Sequence, residues 1–291
     1  MSLYEQTGYR RRRARLSQAF AAVCMAATAL CVLVLVWLMG HILYNGLPWL
    51  TWTLLTSGPS RFPQDAGILP ALVSSTWLIV LTAVIAVPIG VGAAVYLEEY
   101  AKASWWRDLV QLNIANLAGV PSIVYGILGL GLFVRTLMLQ RSIIAGALTL
   151  TLVVLPIIIL AAQEALRAVP DSIRRASYAL GATKWQTVRH QVLPASLPGI
   201  MTGVILAISR ALGEAAPLVA IGAAMFITFV PSTPTDEFSA LPVTIFYWAG
   251  HANADFHDVA GAAIIVLLAL LIFLNAGAVF VRYRYGQRIR W

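Results

Sequence analysis

The sequence predicts an all-α polytopic membrane protein with six transmembrane helices, and three observations carry that expectation. Hydrophobic residues make up 60% of the 291 residues and charged residues only 11%, whereas a soluble domain carries about a quarter charged residues. Six apolar segments reach the length of about 20 residues that a helix needs to cross a bilayer. Basic residues crowd into alternate connections between those segments, as the retention of Lys and Arg on the cytoplasmic side requires.

The first span is expected over residues 19–44. The arginines from Arg10 to Arg15 precede it, but the apolar run is far longer than the roughly 7 to 15 residues of a secretory signal, so it reads as a retained helix. Cys24 and Cys31 lie within it. Seven residues apart on one helix, their Cα atoms are about 10 Å apart, too far for a disulfide, and they read as packing residues.

The second, third and fourth spans are expected over residues 68–97, 109–134 and 143–162. The fifth, residues 197–230, is too long for a straight crossing. Gly203, Gly213, Pro217 and Gly222 predict an irregular helix where neighbours shield the freed backbone groups. Residues 240–249, "ALPVTIFYWA", are apolar but have the length of an interfacial or re-entrant piece. They are placed at the outer face, and the sixth span follows over residues 259–281.

An even number of spans puts both termini on one side. The N-terminus, the turn after the second span, the loop after the fourth and the C-terminus hold five, two, five and four Lys and Arg residues. The opposite loops hold only Arg61, Arg135 and Arg141. Both termini are therefore expected in the cytoplasm, and the net charge of +8 belongs to a membrane surface rather than to nucleic acid.

The longest cytoplasmic loop, residues 163–196, reads as two short helices. Pro170, Asp171 and Ser172 supply a start, Ile173, Ala176 and Leu180 repeat at helical spacing, and Gly181 supplies a C-terminal stop. The second helix has Thr183 as its cap, Trp185, Val188 and Val192 as its apolar stripe, and Pro194 as its limit. With Arg174, Arg175, Lys184 and Arg189 the pair forms a compact basic knob suited to docking into a partner.

The remaining basic residue is Arg210, inside the fifth span. It lies about 15 Å past Ile200 along a helix, half of a roughly 30 Å hydrocarbon core. An ionisable group there costs about 2.5 to 3.5 kcal/mol on insertion scales unless it faces a polar interior. Glu214, four residues on, can pair with it. One reading is an anion pathway in which the Arg210 fork holds a tetrahedral oxyanion. Glu214 then favours protonated phosphate over sulfate, which has no proton to donate. The other reading is a buried pair that fixes helix packing.

Other chemistry is weakly represented. His251 and His257 lie near Asp255 and Asp258 without a second ligand pair at a suitable spacing. No phosphate-binding Gly-x-x-x-x-Gly-Lys-Ser/Thr loop and no His-Glu-x-x-His is present, so any ATP-driven step needs another chain.

The loop "RASYALGATKWQTVRHQVLP", residues 175–194, resembles the signature of bacterial ABC-importer permeases: Glu-Ala-Ala, three residues, Gly, nine residues, then Ile-x-Leu-Pro. Ala176, Gly181, Leu193 and Pro194 match; Arg175, Ser177 and Gln191 stand in place of the Glu, the second Ala and the Ile. The stretches "AGVPSIVYGILGL", "GALTLTLVVLPIII", "LPGIMTGVILAISRALGEAAPL" and "LPVTIFYWA" resemble the PstA-type permeases of bacterial phosphate ABC transporters, from about residue 68 to the end.

That resemblance implies a MetI-like fold with a cytoplasmic coupling helix, in the bacterial cytoplasmic (inner) membrane. It divides the chain into residues 1–66 (N-terminus, first span, outer loop), 67–282 (a five-helix permease domain with the coupling loop 163–196) and 283–291 (a basic tail). It implies phosphate as the solute. The implied partners are a second, PstC-type permease, two ATPase subunits that bind ATP and Mg, and an extracytoplasmic phosphate-binding protein. No cofactor is expected on this chain. Asp171, Arg175, Ala176, Ser177, Gly181, Leu193 and Pro194 are the expected coupling-loop residues, and Arg210 and Glu214 the expected pathway residues. An importer of another oxyanion or small solute is the alternative. An ion-coupled carrier stands behind it, since no inverted repeat of the "SRALGEAAP" segment is found in the first half.

Overall fold

The computed structural model describes residues 3–224 and 226–286, and within them every regular element is helical. Helix α1 (Leu3–Gly46) is followed by the short α2 (Trp52–Thr56) and the long α3 (Leu69–Val95). Then come α4 (Trp105–Ala118), α5 (Ser122–Gly129) and α6 (Ile143–Arg167). The knob holds α7 (Asp171–Ala179) and α8 (Lys184–Thr187). The last elements are α9 (Leu193–Gly213), α10 (Ala216–Ile221), α11 (Leu241–Ala249) and α12 (Asp255–Gly286). The last five residues of the expected tail lie outside the described residues.

Among the described residues, five helical stretches are long and apolar enough to cross a membrane, or six if a bent pair counts as one span. That pair corrects the expected third span. Residues 109–134 do not form one rod: the axis turns by 102° between α4 and the helix that begins at Ser122. The corner is Gly119-Val120-Pro121, where proline disfavours helical geometry in the residue before it. The Tyr125 hydroxyl donates to the Leu117 carbonyl at 2.7 Å and closes the corner.

Helix α6 is the central post. Its buried face includes Ile143, Leu150, Val154, Ile158 and Leu166, and it packs against α3, α5 and α9. Burial of such side chains is the generic source of packing energy, here reinforced by close backbone approach through small residues. A Cβ at Gly90 of α3 would sit 2.7 Å from the Ile158 Cγ2, and one at Gly203 of α9 would overlap the Ala161 Cβ.

Helix α1 instead stands beside the bundle and packs along α12, meeting it at Gly46 and Gly261. Cys24 and Cys31, expected as packing residues, are exposed, because the apolar part of the helix that carries them buries nothing against its own chain.

The loop before α11 is tied down by Asp236. Its carboxylate accepts from the Thr233 hydroxyl at 2.6 Å and from the amides of Ser232 and Thr233 at 2.8 and 2.9 Å. Helix α11 buries Leu241, Pro242, Val243 and Trp248, and its Leu241 amide donates to the Ser75 hydroxyl at 2.8 Å. Ser75 is near the start of α3, so α11 lies at the end of the bundle opposite the knob, as a short re-entrant or interfacial piece does.

Candidate functional site

The expected fifth span is interrupted where its charges are. Helix α9 ends at Gly213, Glu214 takes an extended conformation, and α10 begins at Ala216 with Pro217 in its first turn. Pro217 fits there because the first helical turn has no partner for its missing N–H. A second interruption follows at Gly222, whose φ of +89° is left-handed. The expected irregular helix is present at Gly213, Pro217 and Gly222, but Gly203 lies within unbroken α9, where it serves close packing against Ala161 instead.

Arg210 therefore sits in the last turn of α9, where a helix end favours a cation. Its Nε donates to the Glu214 Oε1 at 3.1 Å. The expected pairing is formed, with one correction: Glu214 shares no helix with Arg210, because the helix has ended one residue earlier. The exposures are unequal. The Arg210 side chain is 53% exposed and that of Glu214 17%. Leu206, Arg210 and Gly213 form an exposed stripe at helical spacing, whereas Ala211 and Leu212 are buried. The carboxylate is thus largely covered by this chain, and the guanidinium is left half uncovered.

Two further contacts fix the interruption, and neither is legible from spacing. The Ser209 hydroxyl lies 2.6 Å from the Asn275 Oδ1 and 2.7 Å from the Ile205 carbonyl, which orients α9 against α12. Helix α5 lies against α10, where a Cβ at Gly126 would come within 2.7 Å of the Pro217 Cα. The middle of α5 therefore braces the start of α10, next to the break in the fifth span.

At the basic end, the knob follows the expected helix signals closely. Helix α7 stops before Gly181, which has a φ of +83°. Thr183 caps α8 in a reciprocal capping box with Gln186. Ser177, which stands in place of the family's second Ala, is 2.8 Å from the Thr187 hydroxyl and joins the two helices. Asp171 pairs with Arg174 at 3.3 Å. Arg175 and Ala176 are exposed on the outer side of α7, and Leu180 at the tip is 89% exposed.

Two expectations about the second knob helix are corrected. Trp185 is 58% exposed, while Val188 and Val192 are buried, so the stripe is narrower than expected. Pro194 does not end the helix. The chain passes from α8 through a π-helical turn, Val188–Val192, straight into α9, so the helical run spans Lys184–Gly213. A π turn widens the hydrogen-bond ladder just before the proline, which has no N–H to give to it and whose ring would otherwise clash with the carbonyl four residues back. Leu193 packs into the apolar cluster with Leu97, Leu166 and Ile200.

Sequence reasoning missed Glu98 and Glu99 in the π-helical turn that ends α3. Glu98 pairs with Arg167 at 2.6 Å and Arg107 at 3.7 Å, and Glu99 pairs with Arg174 at 2.7 Å. Two adjacent acids at the end of an apolar run, with arginines seven residues apart at the end of another, were the available signal. The histidines of the opposite end make local bonds: the His257 Nε2 is 2.9 Å from the His251 carbonyl oxygen.

Comparison with known proteins agrees with this architecture. The family described as binding-protein-dependent transport system inner membrane component matches residues 86–291. The phosphate transport system permease protein PstA 1 of Mycobacterium tuberculosis (strain H37Rv) is 35% identical over 88% of this chain and 84% of its own length. The phosphate transport system permease protein PstA of Yersinia pestis is 31% identical over 97% and 94%. Among solved structures, an inward-facing MetNI methionine ABC transporter superposes with a TM-score of 0.55 at 22% identity, over 77% of this chain and 96% of that one. That likeness is one of fold.

Proposed function

The chain belongs to the inner membrane components of binding-protein-dependent transport systems, and from that premise we infer that it is a permease subunit of an ATP-driven phosphate importer. It is a transport component rather than an enzyme. The relatives named as phosphate permeases, aligned over most of both chains, support phosphate as the solute.

The observation that carries the mechanism is the unequal Arg210–Glu214 pair at the interruption of a span. A guanidinium half uncovered by its own chain offers donors to an anion that passes on that side. Glu214 occupies one edge of the fork through Nε, which leaves the terminal nitrogens free of it. A protonated phosphate oxygen can donate to the carboxylate; sulfate has no such proton. The uncovered stripe of α9 forms half of the conduit, and a PstC-type permease supplies the other half.

ATP and Mg are held by two partner ATPase subunits, and an extracytoplasmic binding protein delivers phosphate. Both termini and the knob are cytoplasmic. The knob docks in the ATPase with its exposed Leu180, Tyr178 and Trp185, and Asp171, Arg175, Ala176, Ser177 and Gly181 set its shape and surface. Leu193 and Pro194 join it to α9, so that a displacement of the knob is carried along one continuous helix to Arg210.

The test is uptake of radiolabelled phosphate into vesicles that hold the whole complex, with ATP inside and binding protein outside, against excess sulfate. Accumulation that needs ATP and withstands sulfate is expected. Accumulation of sulfate in place of phosphate, or phosphate uptake driven by an ion gradient without ATP, would overturn the reading.

A further inference from the structure

Helix α7 buries none of its residues. Its apolar anchor is the partly buried Ile173, packed against the cluster of Leu97, Leu166 and Ile200; the rest of its positioning is polar, and one side chain makes most of those contacts. Arg174 donates from Nε and Nη2 to the Glu99 Oε1 at 3.1 and 2.7 Å. Its Nη2 also donates to the Leu166 carbonyl at 3.0 Å, and its Nη1 to the Val169 carbonyl at 2.7 Å and to the Asp171 Oδ1 at 3.3 Å. One planar group thus gathers the end of α3, the last turn of α6, the linker after it and the first residue of α7.

The pair is shielded: the Arg174 side chain is 17% exposed and that of Glu99 7%. Removing either partner would leave a largely buried charge unmatched. Glu98, the preceding residue, pairs with Arg167 of α6 and Arg107 of α4, so with Glu99 the same π-helical turn fastens α4, α6 and α7. Only a planar fork can satisfy a carboxylate and three further acceptors in these directions; an ammonium cannot.

From this geometry we propose that Arg174 is a positioning residue of the coupling step, forming with Glu99 the rigid joint that carries knob displacement into α3 and α6. The proposal rests on the transporter reading above. Leu193 and Pro194 carry the same displacement into α9, so the joint makes α3, α6 and α9 move as a set. A loose joint would let the ATPase turn the knob without turning the spans. The signature is ATP hydrolysis without transport in a fully assembled complex.

The experiment uses the whole complex in vesicles, with wild type, Arg174→Lys and Glu99→Gln. Phosphate carried per ATP hydrolysed is measured beside the amount of ATPase that co-purifies. Co-purification near wild type with a ratio lower by about tenfold, the size expected for losing charge-assisted bonds, supports the joint. A second readout does not need uptake. Spin labels at Ser172→Cys, exposed on α7 of the knob, and Ile89→Cys on α3, in a chain with Cys24 and Cys31 replaced by serine, report their separation with and without ATP.

A separation that is narrow and unchanged by ATP in wild type, and broadened in Arg174→Lys, is expected. The joint is overturned if wild type itself changes separation with ATP, if Arg174→Lys stays as narrow as wild type, or if the transport ratio of the assembled variants is unchanged. Failure of the wild-type complex to carry phosphate would instead contradict the functional reading, and the separations would still decide whether the joint is rigid.

Discussion

The Nε of Arg210 donates to the Glu214 Oε1 at 3.1 Å across the end of a helix, with the carboxylate largely covered and the guanidinium half open. Two apolar residues would pack this break at lower cost than an ion pair, whose charges lose solvation when they are covered. About half of the Arg210 side chain is left uncovered by this chain. The break at Gly213 makes that arrangement available: it ends α9 just after the cation and lets the acid turn back beneath it.

Close helix contact gives a first prediction. Gly203→Ala places a Cβ against Ala161 in the α6–α9 interface, whereas a Cβ at Gly92 meets nothing within 4 Å. Overpacking of this kind costs about 1 to 3 kcal/mol. Thermal unfolding of the purified complex is expected to shift down for Gly203→Ala and to stay in place for Gly92→Ala.

The turn of the knob gives a second. Gly181 has open space around it but a φ of +83°, so the strain of a substitution lies in the backbone and amounts to about 1 kcal/mol. Gly181→Ala should weaken co-purification of the ATPase several-fold. Gly181→Asn should weaken it less, because asparagine tolerates the left-handed region. Equal loss in both would point to lost space rather than to conformation.

The loop before α11 gives a third. The hydroxyl of Thr233 and the amides of Thr233 and Ser232 hold the Asp236 carboxyl down from 3.8 to about 2. A group whose folded value is depressed stabilises above its ordinary value and loses that contribution as pH falls through the folded one. Exchange protection of the Ser232 and Thr233 amides should hold from neutral pH to about pH 4 and vanish toward pH 2. In Asp236→Asn that pH dependence should be absent.

Much of the fold was legible because apolar length and basic asymmetry act over whole segments, and a span tolerates errors of a few residues. The cap at Thr183, the stop at Gly181 and the pairing of Arg210 with Glu214 were legible because each depends on residues within four of one another. The corner at Gly119-Val120-Pro121 escaped because the apolar run continues across it; the proline was the visible sign. Pro194 misled in the opposite direction, since the π turn that accommodates it leaves no mark in composition. Glu99 and Arg174 are 75 residues apart in sequence, and only the packing of α3 beside α6 brings them together.

The central claim is that the open side of Arg210 faces the path of an anion, and its most direct test is phosphate uptake by the assembled complex carrying Arg210→Gln. Glutamine keeps a polar donor of similar reach but neither the charge nor the fork. The account predicts uptake lowered by at least about tenfold with ATPase assembly unchanged. Uptake at the wild-type rate, or its retention when Arg210 and Glu214 are exchanged, would contradict it and leave the pair a packing device.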